Sequence, residues 1–155
     1  MQLTLFSDYS LRILLYLAAH PAERVTLPEI SVAYGISQHH LVKVTQRLIE
    51  EGWVESTRGR GGGLCLACEP SDINIGTVVR VTEPHMNIAE CFDPVSNTCP
   101  IDGVCGLKKV LVRAREAFLE ELDRHTLADF KRKAPLLTQL WNRRLDEDRK
   151  GRADA

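Results

Sequence analysis

The stretch Cys91-Phe-Asp-Pro-Val-Ser-Asn-Thr-Cys99-Pro-Ile-Asp-Gly-Val-Cys105 limits the fold more than any other part of the chain. It lies between two helix-like segments and carries almost nothing that can build a core. Pro94, Pro100 and Gly103 specify an irregular loop, which is mobile unless something clamps it. Three thiolates converging on a metal are such a clamp. Soft sulfur ligands select zinc, copper(I) or iron-sulfur clusters over hard cations, so the ligand type narrows the metal without naming it. Three cysteines also leave a four-coordinate site one ligand short. Seven residues and then five separate the successive cysteines, a spacing that matches neither the paired pattern of structural zinc sites nor a ferredoxin run. Redox-active thiols and inert cysteines stay open beside a metal at this point.

A chain of 155 residues can bury roughly two-thirds of its unfolded surface and needs no disulfides to fold. Its five cysteines are an odd number, which disfavours a complete disulfide framework. No secretory leader is evident at the N-terminus, and no run approaches the roughly 18 apolar residues that span a bilayer. The expectation is a cytoplasmic protein with no membrane partner and reduced thiols. The net charge of -1 gives no global reason to bind nucleic acid, so any basic footprint must be local.

From the N-terminus, Leu5, Phe6, Tyr9, Ile13, Leu14 and Leu17 recur with a helical period, with Thr4 or Ser7 as the N-cap and His20-Pro21 as the stop. Asp8 falls in the first turn, where a carboxylate is favourably placed against the helix dipole without any further role. A second helix follows Thr26. Ser37 then caps a third helix, which carries Leu41, Val42, Val44, Leu48 and Ile49 and stops at Gly52. Two helices joined by a short glycine-containing turn form the helix-turn-helix pattern, whose second helix can enter the major groove. Ser37, Gln38, His39, His40 and Lys43 make a local basic and hydrogen-bonding footprint on that helix, or else an ordinary solvated face.

The segment from Trp53 to Leu66 reads as two short strands joined by a glycine-rich turn holding Arg58, Gly59 and Arg60. Such a hairpin is the wing of a winged helix: its glycines allow close approach to a sugar-phosphate backbone, and its guanidiniums contact phosphates or enter a narrow minor groove. A nucleotide-binding loop needs GK[ST] or GxGxxG order with a helix after it, and neither is present. Cys65 and Cys68 form an isolated C-x2-C, a weak metal signal that fits equally well with no ligand role. Ser71 is expected to cap a short helix through Val81. After the cysteine loop, Leu107, Val110, Leu111, Ala114, Phe118 and Leu122 make one long apolar stripe. It suits a partner helix, most simply its own copy in a two-fold dimer, or else a fold back onto the winged domain.

The fold class is therefore mainly α with a small β-hairpin wing, a winged helix-turn-helix plus a long dimerisation helix. The divisions are 1–82 for the winged domain, 83–106 for the cysteine loop, 107–142 for the dimerisation helix and following helical segment, and 143–155 for a charged, disordered tail. A thiol enzyme would need a base at the loop, where His85 is the nearest histidine in sequence. No second catalytic constellation accompanies it, so no enzyme is expected.

The Met-Gln-Leu-Thr start with Asp8, the helix Ser37 to Ile49, the Trp53-Val-x-Ser-x-Arg58-Gly-x-Gly-Gly wing, the three cysteines and Phe118-Leu-x-Glu-Leu-Asp-x-x-Thr126-Leu-Ala-Asp129 together resemble one family. It is the family of dimeric winged-helix iron-sulfur regulators that include NsrR and IscR, and the likeness is greatest to its nitric-oxide-sensing repressors. The resemblance covers about residues 1 to 130. It implies a homodimer on a palindromic DNA operator, a [4Fe-4S] cluster held by Cys91, Cys99 and Cys105, and Asp8 of the partner subunit as fourth ligand. Members with a [2Fe-2S] cluster place a histidine three residues after the last cysteine, where this chain has Lys108; a [2Fe-2S] cluster, or a thiol or zinc switch without a cluster, is the alternative.

Overall fold

The first two helices begin where a threonine supplies an oxygen to orphan backbone N–H groups. In this computed structural model, which describes residues 2–153, Thr4 caps α1 (Leu5–Ala19) by accepting the Ser7 N–H. Thr26 caps α2 (Leu27–Tyr34) in a reciprocal box with Glu29. Gly35 ends α2 in the left-handed region at φ 65°, a conformation that costs glycine little. The turn leads into α3 (Gln38–Glu50), where Ser37 holds the N-cap position but its hydroxyl makes no capping hydrogen bond.

Trp53 then leads into β1 (Val54–Thr57), which pairs antiparallel with β2 (Gly63–Leu66) in the register Val54↔Leu66. Two bonds between Val25 and Leu64, at 2.8 and 2.9 Å, pin this hairpin to the α1–α2 connection. Ile13, Leu14 and Leu17 of α1, Ile30 of α2, Leu41 and Leu48 of α3, Val54 and Leu64 of the hairpin, and Val78 of the next helix form one core. Each such aliphatic side chain, removed from water, contributes about 1.5 to 3 kcal/mol before chain entropy is counted.

That next helix, α4 (Ile75–Thr82), is capped by Asn74 rather than by the expected Ser71, which lies in a preceding 3-10 turn (Pro70–Asp72). A side-chain amide has two protons to give beside its acceptor oxygen, whereas a hydroxyl has one. Asn74 accepts the Thr77 N–H at 3.0 Å while its amide donates to the Asp123 carbonyl at 2.7 Å. It therefore caps α4 and fastens the end of α5 (Gly106–Asp123). Arg80 makes a two-pronged ion pair with Asp123 at 2.5 and 2.7 Å beside that contact. Gly76 permits the approach, because a Cβ there would collide with the Asp123 carboxylate.

After α5, Leu127 plugs the core from a 3-10 segment (Leu127–Lys133). Helix α6 (Ala134–Ala153) follows and packs on α1 and α2. The charged stretch expected to be a disordered tail after residue 142 is thus helical as far as Ala153, and residues 154–155 lie outside the described residues. The reason is tertiary: Trp141 is buried, Leu137 and Leu145 share its face at four-residue spacing, and an anchored turn removes the cost of helix nucleation. Among the described residues no helix is long and apolar enough to cross a membrane.

Candidate functional site

Helix α3 buries Leu41, Val44, Thr45 and Leu48 and turns the opposite side outward. Ser37, Gln38, His39, His40 and Lys43 are all exposed. Arg47 is held by Glu51 at 3.0 Å, which leaves Lys43 as the cation of α3 with no ion pair among the described residues. His40 and Lys43 stand on the flank of α3 that faces α1, where they border a cleft of about 270 Å³ lined by Leu5, Phe6, Tyr9 and Val44. The wing tip exposes Arg58, Gly59 and Arg60, and Gly59 and Gly61 adopt φ 98° and 79°. The wing tip thus presents two guanidiniums to solvent, with no acid between Arg58 and Arg60.

The cysteine loop is built differently. No residue from 83 to 106 is fully buried, and its order comes from short polar turns. Glu90 accepts the Thr98 N–H at 2.6 Å and the Thr98 hydroxyl at 2.7 Å. Asp93 accepts from the Val95 N–H and the Ser96 hydroxyl, and Asn97 accepts the Cys99 N–H at 3.1 Å. Hydrogen bonds to their charged form hold both Glu90 and Asp93 below the usual carboxylate range. Cys91 sits in a 3-10 turn (Glu90–Phe92), Cys99 between turns, and Cys105 at the N-cap of α5.

All three thiols are free and half-buried. Lys108 pairs with Asp102 at 2.6 Å, which raises its pKa, and the Cys91 and Cys105 thiolates act on it in the same direction. The Arg115 guanidinium lies 5.0 Å from the centroid of the Phe92 ring and ties the Cys91 turn to α5. Among the described residues no three His, Cys, Asp or Glu side chains stand in an arrangement that could hold a metal ion. The three thiols share one loop, then, without forming a finished pocket within a single chain.

Asp8 lies in the first turn of α1, where its carboxylate takes an ion pair from Arg12 at 2.7 Å. It does not join the cysteines of its own chain in a metal group. The root of the cysteine loop is nevertheless bonded to the same turn. Glu83 accepts the Thr4 N–H at 2.8 Å and the Thr4 hydroxyl at 3.0 Å, and the buried hydroxyls of Thr82 and Ser7 meet at 2.8 Å. Sequence reading missed this clasp, since partners about 75 residues apart leave no local pattern. It missed the Arg115–Phe92 contact for the same reason.

Cys65 and Cys68 have ordinary local partners. The Cys65 thiol donates to Glu55 at 3.1 Å, and Cys68 packs on the core. Burial, then neighbouring carboxylates, push both thiols up, away from the reactive thiolate form.

Helix α5 buries none of its residues. Leu107 is 63% and Val110 50% exposed, so the apolar stripe is not covered by the winged domain along its first turns. The alternative of a helix folded back on its own domain holds only at the Asp123 end.

The family model described as "Iron-dependent Transcriptional regulator", Rrf2, matches residues 3–133. The HTH-type transcriptional regulator NsrR of Bacillus subtilis is 53% identical over 130 residues, covering 83% of this chain and 89% of that protein. NsrR of Halalkalibacterium halodurans is 46% identical over the same shares. Among solved structures, IscR of T. potens superposes with a TM-score of 0.69 at 28% identity over 86% of this chain and 88% of that one. CymR of B. subtilis, described as its global cysteine regulator, gives 0.68 at 27% identity over 84% and 96%. These relatives are regulators and not enzymes, and the shared fold is the winged helix with an added long helix. The chain belongs to the Rrf2 family and is a transcriptional regulator.

Proposed function

We propose that the chain is a homodimeric, DNA-binding repressor of the cytoplasm whose cysteine loop carries an iron-sulfur cluster, of [4Fe-4S] type, that answers to nitric oxide. The observation that supports it most is the loop itself: three free, half-buried thiols on a segment with no core of its own, in a chain 53% identical to a regulator named NsrR. The donor set fits such a group. Thiolates suit iron-sulfur clusters, Cys105 stands at the positive end of the α5 dipole, and Lys108 adds a positive charge near Cys91 and Cys105. Cys91, Cys99 and Cys105 would hold the group, with the partner's Asp8 in the fourth position. When bound, the iron supplies the reactivity toward nitric oxide.

The chain's own residues do the rest. Gln38, His39 and His40 read base edges with Ser37 at the helix start, while Lys43, Arg58 and Arg60 engage phosphates and Gly59 lets the wing approach the backbone. Two copies joined through the α5 stripe present their recognition helices about one helical turn apart on a palindromic operator. The Glu83–Thr4 and Thr82–Ser7 bonds carry a change in the loop to α1, and α1 packs on α3. A coupling of about 3 kcal/mol changes DNA affinity roughly a hundredfold.

The test is anaerobic reconstitution followed by iron and sulfide assays on the wild type and on Cys91→Ser, Cys99→Ser and Cys105→Ser. About four irons per chain in the wild type, with iron lost in each variant, is the expected result. A wild type without iron after reconstitution would overturn the cluster reading.

A further inference from the structure

Helix α6 lies wholly beyond residues 3–133, the stretch that the family model matches. It nevertheless packs against α2, the first helix of the helix-turn-helix. Helix α2 has only two turns, and of its residues only Ile30 and Ala33 are buried. A helix so short and so lightly buried is poorly located by its inner face alone. Its outer side is held by α6. Trp141, 6% exposed, fills the slot between Tyr16 of α1 and Tyr34 at the end of α2, with ring centroids 4.7 and 5.4 Å away. The His20 ring closes the slot at 6.0 Å. One turn earlier on α6, Leu137 packs on the same core. Three residues after Trp141, the Arg144 guanidinium reaches the α2–α3 turn, where a Cβ on Gly35 would sit 3.4 Å from it.

The turn at Gly35 and Ile36 leads straight into Ser37, Gln38, His39 and His40. Any rotation of α2 therefore swings the end of α3 that meets DNA. We propose that α6 is an intramolecular clamp that fixes the pose of α2 and α3 on DNA, with Trp141 as its positioning residue. The inference rests on the DNA-binding reading above and is independent of the cysteine loop.

The probe is a duplex selected by the wild-type protein from a random-sequence pool, compared with a scrambled duplex of the same composition. Binding is measured for the wild type, Trp141→Ala and Trp141→Phe, well below each protein's melting midpoint. Trp141→Ala is expected to lose about tenfold in affinity for the selected duplex and little for the scrambled one, so that discrimination falls. Trp141→Phe restores most of it. A variant with a lower melting midpoint but wild-type discrimination would overturn the clamp, since a purely structural role moves stability alone. If Trp141→Ala does not fold, Trp141→Leu keeps the slot apolar without the ring stack and decides the same question. A wild type that selects no duplex would overturn the DNA-binding reading and the clamp with it.

Discussion

The winged domain and the cysteine loop are held together by different forces. In the former, Ile13, Leu14, Ile30, Leu41, Leu48 and Val78 are entirely removed from water, and packing fixes the structure. In the latter no residue is fully buried, and carboxylates, a threonine and an asparagine close the turns by themselves. Polar turn bonds set a local shape but contribute little net stability, because water competes for both partners. The difference separates a part of the molecule that is finished on its own from a part whose shape a metal or a partner can still decide.

The contrast is broken most strongly from the core side. Leu14→Ala should cost about 3 kcal/mol in chemical denaturation, because Leu14 is fully enclosed. Cys105→Ser should sharpen the contrast. With both proteins free of metal, the variant is expected to unfold within about 0.5 kcal/mol of the wild type, because the loop holds no core, while on reconstitution it fails to hold iron. Equal destabilisation in both variants would mean that the loop shares the core's energetics.

The two regions were legible to different degrees for the same reason. Periodicity and caps revealed α1, α2, α3 and the hairpin, since Thr4, Thr26 and the alternation around Leu64 act within a few residues of themselves. Local pattern does not favour Asn74 over Ser71 as the cap, because its second partner, the Asp123 carbonyl, is remote in sequence. The end of α6 is masked because its charge density suggests solvation, although Leu137, Trp141 and Leu145 recur at helical spacing. Gln38, His39 and His40 lie exposed on α3, and Arg58 and Arg60 on the wing tip. The cysteines appear on their loop as expected, but no spacing rule reveals the Glu83–Thr4 clasp that joins that loop to α1.

Helix α5 belongs to the unfinished side of the comparison. Val110→Glu should leave the melting of the monomeric fold nearly unchanged, since Val110 is 50% exposed, yet convert a dimer to a monomer in sedimentation. A dimer unaffected by that charge would remove α5 from the interface. Asp8→Ala should cost a few tenths of a kcal/mol from the lost helical ion pair with Arg12, while iron retention drops markedly. Unchanged iron retention and nitric oxide response would strike Asp8 from the ligand set.

The smallest effect concerns the seam between the two regions. Arg80 holds the Asp123 carboxyl below its usual range, so its contribution is present above the unfolded carboxylate pKa of about 4 and fades as pH falls through the lower, folded value. Acid titration should loosen the α4–α5 contact before the core yields, and Asp123→Asn should remove that early step. Hydrogen exchange at the Ile75 N–H, which donates to the His125 carbonyl at 3.0 Å, would follow it.

The central claim is that occupancy of the cysteine loop controls the α3 and wing surface. The most direct measurement is DNA affinity of anaerobically reconstituted protein for a duplex it has selected from a random pool, before and after nitric oxide. The account predicts a roughly hundredfold loss, absent in Cys91→Ser. Equal affinity in both conditions, with iron shown to be bound and then lost, would contradict it.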